Sequence, residues 1–391
     1  MHKLTTTLLF IFLWPYLFWG QSSFTQDPGE AQFVLTDLGH FWQAYEAIGL
    51  VENPFVDYLE NGSLGLQDFI SGRIMDADNL LAQVQQEPQV YEAARSFTFN
   101  SESIRPYYQS LLDWYPYTQF PPVYFVIGAN NSGGTSTEHG LIIGVEKLAQ
   151  GVDLPFLVIH ECMHFQQNRA PRSYNLLEQA IIEGSADFIA ELVTGRLGNP
   201  ELYSYCDQRK EALLGEFAKQ MYQMDYGDWL YQGDFEDKPS DIGYWVGYQI
   251  CTAIFAQAAD KKLAINRLLN NTDYESLMIE SGLFTQYLTP RVVEVLPFAN
   301  LSREVDFTIT ELTLVFSEAM NGSSFEPLAD EEVAFPLVDV IGYSKDRNSF
   351  DLKIALEPGT SYGFKVTNRG FQNDYGFALE ECEIRFTTKE E

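Results

Sequence analysis

The sequence predicts an α+β protein in two parts: a mostly helical domain with a small sheet, followed by an all-β sandwich. Three observations support this prediction. Residues 33–115 alternate between segments with apolar side chains at helical spacing and turns. Residues 122–128 and 140–146 are short apolar runs typical of strands. Near Thr289-Pro290 the pattern changes, and residues 291–389 contain about seven short strand-like runs separated by turn residues.

The first part is expected to build a cleft beside its sheet. A turn-rich loop, residues 130–134, separates the two predicted strands. One edge of the sheet is a candidate to hold an extended peptide through backbone hydrogen bonds. Residues 200–238 are rich in tyrosine and acidic residues and are predicted to form a loop over the cleft, before a helix at 241–258.

Length, charge and the N-terminal residues limit the possible functions. A chain of 391 residues is long enough for two domains. Its net charge of −31 argues against nucleic acid or anionic lipid as a partner. The first twenty residues have a short basic start and an apolar run, as in a secretory signal, with cleavage expected after Gly20 or Ser22. Pro15 and the modest length of the run argue against an uncleaved anchor.

These observations predict an exported protein, periplasmic or extracellular, with no membrane span once the signal is removed. The expected organisation is a signal peptide at 1–22, a first domain at 23–288 and a second domain at 289–391.

The pattern H-E-x-x-H at residues 160–164 is the strongest chemical signal in the chain. It lies in a predicted helix at 153–169, with Asp153 as the N-cap. His160 and His164 are four residues apart, so they share one helix face and can bind one Zn²⁺. Glu161 then lies beside the metal as a general base. The alternative is a pair of core histidines satisfied by hydrogen bonds.

A second predicted helix, residues 174–194, supplies candidates for the remaining zinc ligand and its support. Glu183 and Asp187 are four residues apart among apolar neighbours, and Gly184 leaves room for another helix. A hairpin of the two helices would bring Glu183 to the histidines as third ligand. Asp187 would then accept a hydrogen bond from a ligand imidazole. The alternative for both acids is an ordinary solvated helix face.

The spacing from H-E-x-x-H to the E-G-S-A-D sequence at 183–187 resembles that of the gluzincin metallopeptidases, and the local sequence is most similar to a group of bacterial zinc-dependent proteases. This resemblance implies a zincin-like fold with His160, His164 and Glu183 as ligands, Glu161 as base and Asp187 behind the ligands. Ile182 stands where the best-known gluzincins have asparagine. Residues 128–131 lack the glutamate with which aminopeptidases hold the substrate amine.

Two further features concern tyrosines and cysteines. Tyr244 is the candidate for holding the oxyanion, with Tyr248 one turn behind it; the alternative is that both pack in the core.

Cys162 is expected to be a small buried hydrophobe. Cys206 and Cys251 are able to pair in an oxidising compartment, a possibility that the sequence leaves open.

The second part resembles bacterial Ig-like domains found at the ends of exported proteins. The resemblance rests on the sequences LVFSEAM at 314–320, LEPGTSY at 356–362 and FTT at 386–388. It implies a spacer or a domain that contacts cell-surface or extracellular material.

Together these features predict an exported zinc metallopeptidase with one Zn²⁺ per chain and a peptide or protein substrate. Two alternatives stay open: a non-catalytic zinc-containing protein that binds a peptide or glycan, and a zinc hydrolase with a non-peptide substrate.

Overall fold

The computed structural model describes residues 24–231, 238–330, 332–374 and 376–390. The predicted signal peptide lies outside these residues. Within them the α-helices are α1 (Thr36–Glu46), α2 (Phe55–Glu60), α3 (Leu64–Phe69), α4 (Ala77–Gln86), α5 (Pro88–Ala94), α6 (Arg105–Trp114), α7 (Val145–Leu148), α8 (Leu154–Gln166), α9 (Leu176–Thr194), α10 (Pro200–Asp207), α11 (Lys210–Gln220), α12 (Ile242–Gln257), α13 (Lys261–Asn270), α14 (Tyr274–Ser281) and α15 (Thr285–Leu288).

The strands of the same residues are β1 (Phe33–Val34), β2 (Val123–Val126), β3 (Gly134–Thr137), β4 (Gly140–Gly144), β5 (Val292–Leu296), β6 (Glu311–Phe316), β7 (Met320–Asn321), β8 (Phe325–Pro327), β9 (Leu337–Tyr343), β10 (Ser349–Ile354), β11 (Ser361–Val366), β12 (Gln372–Asn373) and β13 (Cys382–Thr387). The fold is therefore mixed, with helices first and antiparallel sheets toward the C-terminus. Among the described residues, no helix combines the length and apolar character needed to cross a membrane.

Internal contacts divide the chain into two compact units. One unit has two segments, the residues up to Gln208 and the residues Gln223–Tyr274. The other unit consists of Arg209–Tyr222 and Glu275–Glu391. The boundary that the sequence places between residues 288 and 289 stays a prediction.

The first unit contains a four-stranded sheet in the order β1-β2-β4-β3. β2 is parallel to β1 and β4, whereas β3 is antiparallel to β4 and forms the edge, with Gly134 opposite Ile143. β2 and β4 are fully buried, which explains their continuous apolar sequences. β3 has the sequence GTST, and of its residues only Gly134 belongs to the predicted loop at 130–134; its pairing with β4 makes it a strand. The prediction of strand at 145–146 was wrong, because α7 begins at Val145.

Helices α8 and α9 form the predicted hairpin, and the signals at their ends are local. The side chain of Asp153 accepts a hydrogen bond from the N–H of Phe156 and so caps α8, as predicted. Asn175 and Glu178 form a capping box at the start of α9. Gly195 ends α9 in the left-handed conformation, with φ of 70°. Both helices are apolar around most of their circumference, as is typical of helices that neighbouring elements cover on most sides.

Helices α9 and α12 approach each other at glycines on both sides. A Cβ atom on Gly184 would lie 2.1 Å from the backbone nitrogen of Tyr248. A Cβ atom on Gly247 would lie 1.7 Å from the carbonyl oxygen of Ala180. Only glycine fits at these two positions, so the backbones of α9 and α12 are in direct contact.

The predicted loop at 200–238 was wrong for its first half. Residues 200–220 form α10 and α11, with Asn199 capping α10 through the N–H of Leu202 and Pro200 at its first position. Cys251 is a free buried thiol, so the pairing with Cys206 that the sequence left open is not formed. Cys162 is fully buried, as expected for a small hydrophobe.

The second unit contains antiparallel sheets in the orders β5-β6-β10-β9, β13-β11-β8 and β12-β7. Alternate residues of β6, β10 and β13 are buried, and β11 follows the same pattern except that Gly363 is buried as well. Leu312, Leu352, Phe364 and Ile384 contribute to one apolar core shared by the two larger sheets. This shared core explains the period-two patterns of the sequence. The Ig-like identity stays a prediction.

Candidate metal centre

Three side-chain atoms converge between α8 and α9. The Nε2 atoms of His160 and His164 are 3.0 Å apart. Oε2 of Glu183 lies 3.0 Å from Nε2 of His164 and 3.6 Å from Nε2 of His160. The four-residue spacing on α8 places the imidazoles on one face, and the hairpin brings Glu183 to them. Each of the three side chains is about one-tenth exposed or less.

The tautomers of the two histidines follow from their outer hydrogen bonds. Nδ1 of His160 donates to Oδ1 of Asp187 at 2.7 Å. Nδ1 of His164 donates to Oε1 of Gln167 at 2.9 Å. The amide of Gln167 can only be oriented this way, since its Nε2 donates to the carbonyl of Ile182 and to the hydroxyl of Ser185. In the neutral form, both imidazoles therefore direct the lone pair of Nε2 toward Glu183.

Two imidazole lone pairs and a carboxylate oxygen that face one another require a cation between them. Burial by itself lowers the pKa of His160, but Asp187 and Glu183 outweigh it and hold this pKa well above its ordinary value. Burial raises the pKa of Glu183, but the two histidines outweigh it and hold this pKa well below its ordinary value. The cluster thus binds positive charge strongly.

The donor set fits zinc. Ligand atoms bound at about 2.1 Å to one tetrahedral centre are roughly 3.4 Å apart. The three separations of 3.0, 3.0 and 3.6 Å are close to this value. Two histidines and one carboxylate leave a fourth position open, as at catalytic zinc sites.

The second oxygen of Glu183 is held by two side chains that the sequence did not indicate. Oε1 of Glu183 accepts hydrogen bonds from the amide of Gln179 at 3.0 Å and from the hydroxyl of Tyr231 at 2.5 Å. The amide of Gln179 also donates to the hydroxyl of Tyr231 at 2.7 Å. These bonds fix the carboxylate with Oε2 toward the histidines.

The ring of His160 has two aromatic neighbours. It stacks against Phe156 at 6.1 Å and Tyr244 at 6.2 Å between centroids. Behind it, the hydroxyl of Tyr203 donates to Oδ2 of Asp187 at 2.7 Å. Each oxygen of Asp187 therefore has a partner, and the carboxylate orients His160 in the way that metal-bound imidazoles are usually oriented.

Glu161 is buried yet makes no hydrogen bond with any residue that the structure describes. Its carboxylate lies against Gly134 of β3, where a Cβ atom would come within 2.9 Å of Oε1. Burial raises the pKa of Glu161, against the opposing effect of His160, His164 and Arg73. A carboxylate without a structural partner and with a raised pKa is suited to accept and release a proton.

A cavity of about 500 Å³ opens onto His160 and Glu161. Its lining includes residues 131–134 and the side chains of Tyr203, Tyr231 and Tyr244. Burial raises the pKa of Tyr244 well above its ordinary value. The hydroxyl of Tyr244 has no hydrogen-bond partner among the described residues. Tyr248 is not among the described residues that line the cavity, and its hydroxyl donates to Glu191.

Four residues that hold this centre are not among those predicted from the sequence. Gln167 lies three residues after His164 at the end of α8, a spacing that was available as a signal. Gln179 precedes Glu183 by one helical turn and was available in the same way. Tyr203 and Tyr231 lie in the tyrosine-rich segment that the sequence predicts over the cleft, but no spacing singles them out among its other tyrosines.

A model of a protein family described as "Predicted Zn-dependent protease (DUF2268)" matches residues 126–272. This stretch begins at the last residue of β2 and includes β3, β4, both helices of the candidate metal centre and the helix of Tyr244. The chain is thus similar, over less than half of its length, to a family of predicted zinc-dependent proteases. Among curated proteins, none matches the chain significantly.

Solved structures add little to this assignment. CopC from Methylosinus trichosporium OB3b is 16% identical over 26% of this chain and 94% of that chain, with a TM-score of 0.20. The S-layer protein rSbsC(31-844) is 12% identical over 93% of this chain and 46% of that chain, with a TM-score of 0.21. The chain thus spans less than half of that S-layer structure. TM-scores this low do not establish a shared fold.

Proposed function

We propose that the protein is an exported zinc metallopeptidase that hydrolyses peptide bonds. The observation that carries this proposal is the convergence of His160, His164 and Glu183 beside the unpartnered carboxylate of Glu161. The similarity to predicted zinc-dependent proteases supports the same class. His160, His164 and Glu183 would hold one Zn²⁺, while Asp187 orients the first imidazole.

A zinc ion at this position would supply Lewis-acid chemistry, which lowers the pKa of a water molecule and polarises a carbonyl group. Glu161 accepts a proton from the attacking water at its carboxylate. It then delivers that proton to the nitrogen of the departing amine, so that the products are one carboxylic acid and one amine. Tyr244 donates a hydrogen bond from its hydroxyl group to the carbonyl oxygen as negative charge develops there.

The edge strand β3 is the proposed support for the substrate backbone. The N–H of Gly144 donates to the carbonyl of Gly133 at 2.9 Å, and bonded positions alternate along an antiparallel pair. The backbone groups of Gly134 and Ser136 therefore point away from β4. The carbonyl of Gly134 already accepts a hydrogen bond from Ser132, which leaves its N–H and both groups of Ser136 for a peptide.

Zinc analysis of the purified protein, combined with cleavage of a broad peptide library, tests the proposed function. We expect one zinc per chain and cleavage that stops when the metal is chelated and returns when zinc is restored. Zinc-loaded protein that cleaves no peptide would contradict the proposal.

The alternative is a non-catalytic zinc-containing protein that binds a peptide or glycan. The environment of Glu161 argues against it, because a structural zinc site gains nothing from an adjacent buried carboxylate without partners. We further propose that residues 23–288 form the catalytic domain. Residues 289–391 would form an Ig-like domain that contacts cell-surface or extracellular material.

Gly134→Ala is expected to lower kcat by about tenfold while zinc stays bound. The added methyl group would meet the carboxylate of Glu161 at 2.9 Å and displace it, and a small misplacement of a catalytic group has a large effect on rate. Gly133→Ala is the matched control, since its Cβ would make only ordinary contacts at 3.8 Å or more. The measurements are kcat from steady-state kinetics and the zinc content of each variant. Equal kcat values for the two variants would contradict the role of Gly134.

Tyr244→Phe is expected to lower kcat by roughly 10²-fold, the usual cost of losing one oxyanion donor. Zinc content and KM should change little, because the ring and its stacking against His160 remain. Tyr248→Phe, one turn along α12 and bonded to Glu191, is the control. A Tyr244→Phe variant with the kcat of the Tyr248→Phe variant would exclude Tyr244 from the reaction.

A further inference from the structure

The charged side chains that line the cavity differ in whether they have an ion-pair or hydrogen-bond partner within the protein. Asp153 pairs with Arg196 at 2.5 Å. Asp187 is bonded to His160 and Tyr203. Asp241 accepts a hydrogen bond from the backbone N–H of Tyr231 at 2.8 Å. Each of these carboxylates is therefore already engaged with the protein, and none needs a ligand.

Arg73 is different from these groups. It is the only lysine or arginine among the described residues that line the cavity, and its side chain is exposed. It has no ion-pair partner within 4.0 Å in the part of the chain that the structure describes. It is nevertheless close enough to act electrostatically on the carboxylate of Glu161. A guanidinium therefore faces the reaction site with its donors available.

The backbone around Arg73 is held in place at the cavity rim. Arg73 belongs to a π-helical turn, Ile70–Ile74, and Met75 follows it with φ of 74°, a positive value that residues with a side chain rarely adopt. The N–H of Met75 closes the turn on the carbonyl of Ile70 at 2.6 Å. The side-chain amide of Asn131 donates to the carbonyl of Arg73 at 2.7 Å. This bond connects Arg73 to the loop that leads into β3.

We propose that Arg73 binds a carboxylate of the substrate, so that the cavity selects peptides with a carboxylate near the bond that is cleaved. This inference rests on the proposed function and specifies its substrate class. A guanidinium binds a carboxylate through two parallel hydrogen bonds, which fixes its position as well as its charge. With a net charge of −31, the protein repels acidic peptides overall, so their selection requires a local cation such as Arg73.

The carboxylate has two possible sources, an Asp or Glu side chain and the C-terminus of the peptide. Two peptide libraries distinguish them: one with random internal residues and amidated C-termini, and one without acidic residues but with free C-termini. In cleavage by the zinc-loaded protein, we expect one of these carboxylates at a fixed position relative to the cleaved bond. Arg73→Met should reduce kcat/KM for the preferred peptides roughly 10- to 100-fold, as expected for a lost charged hydrogen bond. Peptides without that carboxylate should be little affected.

Two further variants complete the cleavage experiment. Lys262→Met removes the same charge from an exposed position on α13 that does not line the cavity, and should leave the preference unchanged. Arg73→Lys keeps the charge and should retain part of the preference. An equal loss on all peptides in Arg73→Met would mean that Arg73 acts only on Glu161, and would overturn the proposal.

Binding to a slow variant tests the inference independently of cleavage. Fluorescence anisotropy with Glu161→Gln should give tighter binding of the acidic or free-carboxylate peptide than of its neutral analogue. This difference should disappear in the double variant with Arg73→Met. Peptide cleavage without any dependence on Arg73 would overturn the inference and leave the proposed function intact. Arg73-dependent binding without cleavage would support the inference and contradict the proposed function.

Discussion

Glu161→Gln is expected to lower kcat by about 10²- to 10⁴-fold, the usual contribution of a general base, while the protein retains one zinc per chain. Glutamine has the shape of glutamate but cannot accept the proton of the attacking water. Glu161 is not one of the three converging donors, so metal content should not change. The measurements are kcat on a peptide that the parent protein cleaves and zinc by elemental analysis. A zinc-loaded Gln variant with the parent's kcat would refute the role of Glu161.

The same substitution is expected to maintain or raise the melting temperature. A buried carboxylate without hydrogen-bond partners among the described residues destabilises the folded state, as the raised pKa of Glu161 indicates. Burial of the neutral amide of glutamine costs less free energy than burial of the carboxylate. Glu201→Gln, on the exposed surface of α10, is the control for a Glu-to-Gln change. Loss of activity together with a stable fold would mark Glu161 as a residue retained for chemistry.

His164→Ala is expected to abolish zinc binding at micromolar concentrations and to remove the dependence of stability on the metal. A ligand that binds only the folded state stabilises it by about 4 kcal/mol when present at a thousand times its Kd. Chelation should therefore lower the melting temperature of the parent protein clearly. The variant, which retains only two of the three donors, should melt at the same temperature with and without the chelator.

The exposed His40 provides the control for His164→Ala. His40→Ala should bind zinc and respond to chelation as the parent does. Thermal melts with and without a chelator, together with zinc titrations, give the result. A His164→Ala variant with full zinc occupancy would show that the metal centre is not formed by these residues.

The ligand candidates were predictable because their geometry is local. Four-residue spacing on a helix places His160 and His164 on one face, and the apolar surroundings of Glu183 indicated a buried acid. The supporting residues depend on longer-range contacts. Tyr231 follows Glu183 by 48 residues and reaches it from a separate segment, which no period in the sequence encodes.

The errors in the fold have similar physical causes. β3 consists of glycine, threonine and serine, so it shows no apolar alternation, and only its pairing with β4 makes it a strand. α10 was predicted as loop from its tyrosines and acids, although Asn199 followed by Pro200 is a helix-start signal. In both segments the local composition conceals the element that the chain forms.

The glycine contact between α9 and α12 limits where substitutions are expected to change the substrate preference of the site. Because Gly184 and Gly247 leave no space between the two backbones, α9 and α12, which carry Glu183 and Tyr244, have no room to move closer together. New substrate preferences are therefore expected to arise elsewhere in the cavity lining, in the loop that contains Asn131. A directed-evolution library aimed at altered selectivity belongs in that loop and should leave α12 untouched.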